Sequence, residues 1–87
     1  MILRVNGNSM WPLLKNGDEI SVSKKLGELK NGDIITVHNS YGRILTHRII
    51  DEVRLITKGD NNTFPERPLK GTSYKFIGKM EYMYRNK

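Results

Sequence analysis

Ser9 and His47 are the two residues whose types best suit nucleophilic chemistry. Ser9 lies in "RVNGNSMWP", between the flexible pair Gly7-Asn8 and a Met-Trp-Pro segment that cannot become helix. A serine hydroxyl is a weak nucleophile unless a base takes its proton as it attacks. Neutral imidazole is a competent base near pH 7, whereas a lysine must first have its pKa lowered by burial. A Ser-His pair is therefore the first chemistry to consider.

His47 lies in "RILTHRIID", where apolar and polar residues alternate as in a half-buried strand. This alternation places His47 on the same face as Leu45 and Ile49, the face expected to point at the core. A histidine there would be shielded, mostly neutral and held in one orientation, which suits a general base. The alternative is a core histidine without catalytic function. His38, in "VHNSYG", is expected to be a solvated residue near a strand end.

Two carboxylates lie where either could assist an imidazole. Asp60 directly follows a glycine in "TKGDNN", and it could orient the ring or cap the turn, as Asp commonly does in such loops. Glu66 lies in a Pro-bounded segment and could add a second carboxylate, although a surface glutamate needs no function to explain it. Residue types alone leave both alternatives open.

The elements that must position these residues are short strands. Ile20 and Val22, and later Ile35 and Val37, alternate with polar neighbours. An Asn-Gly-Asp sequence precedes each pair and offers residues tolerant of positive φ, as tight turns require. "LKNGDEISV" and "LKNGDIITV" are nearly the same phrase, which indicates a turn-then-strand unit used twice.

Further strands are predicted over Arg43 to Ile50, Val53 to Lys58 and Tyr74 to Tyr84, with an ordered loop over Thr63 to Thr72. No segment shows a sustained helical period. The sum is a small, all-β, mostly antiparallel fold that curls on itself to hide its edges. We expect residues 1–87 to form a single domain.

Composition excludes several classes of function. The net charge is +6, but the 15 basic residues are scattered among 9 acidic ones, so no nucleic-acid partner is expected. With no cysteine and two histidines, neither a metal site nor a cofactor is expected. The longest apolar run falls well short of the ~20 residues that span a bilayer.

The amino terminus, "MILRV", is too short and too soon charged to be a secretory signal. We therefore expect a cytoplasmic protein without a membrane span in this chain. A membrane-bound partner and the oligomeric state both stay open.

Five segments, in order along nearly the whole chain, resemble the signal peptidase I superfamily, which includes self-cleaving repressors of the SOS type. One segment resembles the nucleophile box, one the second Gly-Asp-Ile strand, one the general-base box, one the box that follows it and one the closing strand. In that order they read "GNSMWPLLKNGDEISV", "LKNGDIITV", "LTHRII", "ITKGDNN" and "FIGKMEYMY". The resemblance implies a curled half-barrel of the signal-peptidase and repressor-peptidase type, here in a minimal form.

The resemblance also implies roles for single residues. Ser9 is the nucleophile, and His47 stands where bacterial signal peptidases and the repressors carry a lysine base. A histidine there is similar to the archaeal and endoplasmic-reticulum type, in which Asp60 takes the orienting role. That type commonly has two aspartates a few residues later, where this chain reads "FPER". Glu66 is therefore only a possible accessory acid.

The substrate implied by the resemblance is an extended peptide bonded along a strand edge. Asn8, Met10 and Trp11 flank the nucleophile and are expected to line the substrate site, with Met10 packing behind Ser9. The backbone N–H of Ser9 is the expected oxyanion donor. Gly7 stands where some relatives carry a hydroxyl as second donor.

Two functions follow from these residues. The first is a serine endopeptidase that uses Ser9 and His47 to remove a leader or propeptide from a dedicated precursor protein. The second is a catalytically silent peptide-binding domain of the same fold, suggested by the missing acidic pair and by Gly7. A basic nucleic-acid-binding barrel is a third class, suggested only by charge and β content.

Overall fold

The computed structural model describes residues 1–25 and 27–84, which form six β-strands and, within those ranges, no helix. The strands are β1 (Ile2–Arg4), β2 (Glu19–Ser23), β3 (Ile34–His38), β4 (Ile44–Asp51), β5 (Ile56–Lys58) and β6 (Lys75–Tyr84). They pair antiparallel in one open sheet of order β1-β2-β6-β3-β4-β5. The prediction of a small, all-β, mostly antiparallel fold is confirmed.

The repeated "LKNGD" phrase builds the same turn before β2 and before β3. In each copy the Asp carboxylate accepts the N–H of the Lys three residues earlier at 2.9 Å, and the Asp N–H donates to that Lys carbonyl at 3.0 Å. Gly17 and Gly32 have φ angles of 91° and 96°, a backbone region in which side chains are strained. The Asn-Gly-Asp turns thus act as predicted.

One strand was missed by the sequence prediction and another begins later than predicted, whereas β4 and β6 lie within one residue of their predicted bounds. β1 was not predicted, because three residues with one half-buried side chain show no periodicity. The predicted strand over Val53 to Lys58 begins only at Ile56. Asp51 accepts the N–H groups of Val53 and Arg54 at 3.0 and 3.1 Å, and this turn delays the strand.

The core lies on both faces of β3, because Ile34 and Ile35 are adjacent and point in opposite directions. One cluster packs the segment after β1 against the sheet and comprises Met10, Leu14, Ile20, Val22 and Ile34. The other lies under the loop before β6 and comprises Ile35, Val37, Ile49, Leu55 and Leu69. Within the described ranges, no helix is present that would have the length and apolarity to span a membrane.

Candidate active site

Ser9 and His47 meet at the wall of a cleft of about 790 Å³ between the segment after β1 and strand β4. His47 Nε2 lies 3.0 Å from Ser9 Oγ, although 38 residues separate them along the chain. His47 is 4% exposed and lies on the same side of β4 as the buried Ile49, as alternation predicts. Thr36 and Leu45 line the same cleft.

The second ring nitrogen of His47 faces Glu66. Oε1 of Glu66 lies 3.5 Å from Nδ1, within ion-pair range but without hydrogen-bond geometry, so the buried Nδ1 has no hydrogen-bond partner among the described residues. The Glu66 N–H donates to the Thr57 carbonyl at 2.8 Å, which holds the loop against β5 and aims this side chain at the ring. Glu66, rather than Asp60, is thus the carboxylate beside the imidazole.

Burial lowers the pKa of His47 below its ordinary value of 6.5, because the charged ring loses hydration. The Glu66 carboxylate opposes this shift, Arg43 adds to it, and Asp60 opposes it to a smaller extent. The imidazole is therefore neutral at pH 7, the form in which one nitrogen can accept a proton.

Asp60 binds Arg48 and not the imidazole. Nε and Nη2 of Arg48 each donate to one carboxylate oxygen at 2.9 Å, and Nη1 donates to the Gly32 carbonyl at 2.9 Å. The hydrogen bond from Arg48 is the largest cause that lowers the Asp60 pKa. The orienting role expected for Asp60 is therefore not what the geometry shows; the pair ties the loop after β5 to β4.

The loop after β5 holds the backbone on either side of the Ser9 hydroxyl through hydrogen bonds to the Asn8 and Ser9 carbonyls. The Asn61 N–H donates to the Ser9 carbonyl at 2.8 Å, and the Asn61 side-chain amide donates to the Asn8 carbonyl at 3.1 Å. A Cβ at Gly59 would lie 2.6 Å from the Ser9 carbonyl oxygen, so only glycine permits this approach. Sequence reasoning assigned no role to Asn61 or Arg48; the phrase "GDNN" was the signal for Asn61, and no comparable signal marks Arg48.

The three residues expected at the substrate site have different positions. Asn8 and Met10 line the cleft, but Met10 is 2% exposed and its sulfur accepts the Asp60 N–H at 3.3 Å, so it packs beneath the segment that carries Ser9. Trp11 is 48% exposed and does not line the cleft. The described part of the chain holds no cluster of three acidic or imidazole side chains suited to a metal ion.

A family model matches most of the chain. Neither a curated protein nor a solved structure matches the chain significantly. The model described as Peptidase S24-like matches residues 1–81, which include the segment that carries Ser9, β4, the loop after β5 and most of β6. The chain belongs to the Peptidase S24-like family.

Proposed function

We propose that this protein is a serine endopeptidase in which His47 activates Ser9 to remove a leader or propeptide from a dedicated precursor protein. The observation that carries the proposal is the 3.0 Å separation between His47 Nε2 and Ser9 Oγ. A general base must lie within hydrogen-bond reach of the proton that it removes. A general base must also be unprotonated before it acts, and the neutral imidazole of His47 meets this requirement. The lysine base of other relatives is therefore not needed.

The reaction proceeds through an acyl-enzyme. Ser9 Oγ attacks the substrate carbonyl carbon while its proton passes to His47 Nε2. The imidazolium then gives that proton to the departing amine, and the C–N bond breaks. Water next attacks the Ser9 ester, assisted by the same imidazole, and releases the carboxylic acid. The role of Nε2 as acceptor requires the neutral ring to carry its proton on Nδ1, toward Glu66.

Glu66 acts as a positioning residue for the base. A carboxylate beside Nδ1–H favours the required tautomer and stabilises the imidazolium that forms during attack. The 3.5 Å contact shortens in the substrate complex, as loosely aligned catalytic contacts commonly do. The backbone N–H of Ser9 makes no hydrogen bond to any described residue and serves as the oxyanion donor.

The substrate binds as an added strand. β4 pairs with β3 over residues 44–48 and with β5 over residues 48–51. On the β5 side, therefore, residues 44–47 pair with no described strand. An extended peptide can form backbone hydrogen bonds with this free edge, which ends at His47.

A peptidyl diphenyl phosphonate with an alanine-like side chain tests the proposal, because it forms a covalent adduct with an activated serine. We expect stoichiometric labelling of the wild type, detected by intact mass, and none of Ser9→Ala. His47→Gln should slow labelling by about 10²–10⁴-fold, the usual contribution of a general base. Matched controls are Ser73→Ala, at an exposed serine, and His38→Gln, at the other histidine.

Equal labelling of wild type and Ser9→Ala would contradict the proposal, as would a rate unaffected by His47→Gln. The second candidate function is a silent peptide-binding domain, favoured by the Nδ1 atom that has no hydrogen-bond partner among the described residues. It predicts no labelling of the wild type together with peptide binding that Ser9→Ala leaves unchanged.

A further inference from the structure

Charge is distributed unevenly around the cleft. A second cavity of about 640 Å³ adjoins the first and shares Leu45 and Glu66 with it. Among the described residues, four cationic side chains line the two cavities, namely Arg4, Arg43, Arg67 and Lys70. We call these four residues the basic rim. Glu66 is the only acidic residue that lines either cavity, so the other eight of the nine acidic residues lie elsewhere.

The basic rim is not neutralised from within the described part of the chain. All four side chains belong to exposed residues, and none forms an ion pair with a described residue. By contrast, Arg48, Arg54 and Lys79 each pair with an aspartate outside the cleft. Unpaired cations that line a concave surface attract and orient an anionic ligand.

The free edge of β4 determines which substrate residue lies beside Arg43. Arg43 immediately precedes β4, and His47 lies four residues further along the strand. At roughly 3.3 Å per residue, Arg43 is about 13 Å from the catalytic position along the edge. A peptide strand beside this edge therefore brings its third to fifth residue from the scissile bond next to Arg43. Arg4, on β1, lines the same cleft.

We propose that the substrate is an acidic peptide, with carboxylate side chains three to five residues from the scissile bond on the side that passes Arg43. This inference names the substrate class of the active site and rests on the proposed function. Glu66 repels a carboxylate beside the scissile bond, so the substrate residues on either side of that bond are uncharged. The remaining rim cations, Arg67 and Lys70, extend the anion preference beyond Glu66 into the adjoining cavity.

The test measures binding separately from catalysis, by fluorescence anisotropy of labelled peptides with Ser9→Ala. Twelve-residue alanine-rich peptides carry two Glu, two Gln or two Lys, placed four residues before or four residues after the central bond. We expect one of the Glu peptides to bind about tenfold more tightly than its Gln counterpart at 50 mM salt, since each exposed ion pair contributes modestly. Raising the salt to 0.5 M should remove most of this difference.

Charge-reversal variants locate the effect. Arg4→Glu/Arg43→Glu, in the Ser9→Ala background, should abolish the Glu preference or reverse it in favour of Lys. Lys24→Glu/Lys25→Glu changes the net charge equally at two exposed lysines outside both cavities, and it should keep the preference. A twelve-nucleotide oligo-dT serves as a second anionic probe and should bind more weakly than the Glu peptide.

Three results would overturn the inference: equal binding of the Glu and Gln peptides, equal effects of the two double variants, or tighter binding of oligo-dT that is lost with Arg4→Glu/Arg43→Glu. The outcome is distinguishable from failure of the proposed function. If the phosphonate does not label the wild type but the Glu peptide still binds more tightly than the Gln peptide, the proposed peptidase activity is contradicted and the acidic-peptide binding site is retained. Labelling without a Glu preference removes only the acidic substrate.

Discussion

Two charged residues, Glu66 and Arg43, shift the pKa of His47 in opposite directions, and substitution of each residue separates their effects. Burial lowers its pKa, Glu66 raises it and Arg43 lowers it. The unfolded chain binds this proton near pH 6.5, whereas the folded chain binds it only at lower pH. Stability contributed by the neutral ring is therefore present above pH 6.5 and decreases as the pH falls toward the folded pKa. The base should accordingly function in mildly acidic solution.

We expect the rate of phosphonate labelling to fall on the acid side with an apparent pKa below 6.5. Glu66→Gln removes the charge that raises the His47 pKa, so this acid limb should move to lower pH while the maximal rate drops about 10- to 100-fold. Arg43→Gln should move the limb to higher pH. Labelling rates across pH 4 to 8 and the NMR titration of His47 measure both effects.

Glu81→Gln, at an exposed residue on β6, is the control for loss of a carboxylate. An acid limb that stays in place in Glu66→Gln would show that the carboxylate does not act on the ring. A lower rate with an unmoved limb would leave Glu66 only a structural role.

Residue types singled out Ser9 and His47, which the structure brings within 3.0 Å of each other, but they assigned the carboxylates differently from the structure. Asp60 is near His47 in the fold, yet Arg48 offers it two hydrogen bonds, a stronger interaction than one contact with a neutral ring. Nothing in the spelling "THRII" distinguishes a free Arg48 from a paired one. The position of Glu66 depends on how the loop crosses β5, and local sequence does not encode that crossing.

At the scale of elements, the loop after β5 fixes the position of the Ser9 backbone in the site. Asn61 holds the Ser9 carbonyl, and the close approach of Gly59 leaves no room for a side chain. Alternation predicted β2 and β4 because their faces differ in burial. It predicted β3 through the polar Thr36, although both faces of that strand are buried. It missed β1 and started β5 too early, because Leu55, just before the strand, has a φ of 54° that apolar and polar alternation does not predict.

We expect Gly59→Ala to displace Ser9, because the new methyl group would meet a backbone oxygen that cannot move aside cheaply. Phosphonate labelling should slow about 100-fold, the scale expected when a reacting group is misplaced by about 1 Å. The free energy of unfolding should fall by roughly 1–3 kcal/mol, as for other overpacked sites. Kinetic labelling and urea unfolding provide the two measurements.

Gly27→Ala is the matched control, since a Cβ there would meet no heavy atom within 4 Å. It should leave both quantities unchanged. Labelling of Gly59→Ala at the wild-type rate would mean that this contact does not position the nucleophile.

At the scale of the whole molecule, the candidate active site depends on how the segment after β1 packs against the sheet. This segment carries Ser9 and is attached to the sheet mainly through Met10 and Leu14, which are 2% and 0% exposed. An 87-residue chain has little stability to spare. The core that stabilises the fold therefore also positions Ser9.

Leu14→Ala should reduce the free energy of unfolding by about 2–5 kcal/mol, the range for a buried leucine that leaves a cavity. Leu13→Ala, at a neighbouring residue that is 37% exposed, should cost less than about 1 kcal/mol. Urea unfolding followed by Trp11 fluorescence measures both changes. Similar losses in the two variants would mean that the segment does not depend on the Leu14 pocket.

His47 and Arg48 are consecutive residues of β4 and therefore lie on opposite faces of the strand. His47 contacts Ser9, and Arg48 binds Asp60. A slip of this strand by a single residue against β3 would reverse both side chains at once. A molecule paired wrongly in this way would lose its base and its loop anchor together, with no partly competent form between. Titrating reactive serines in a refolded sample would thus count the molecules whose strands aligned correctly.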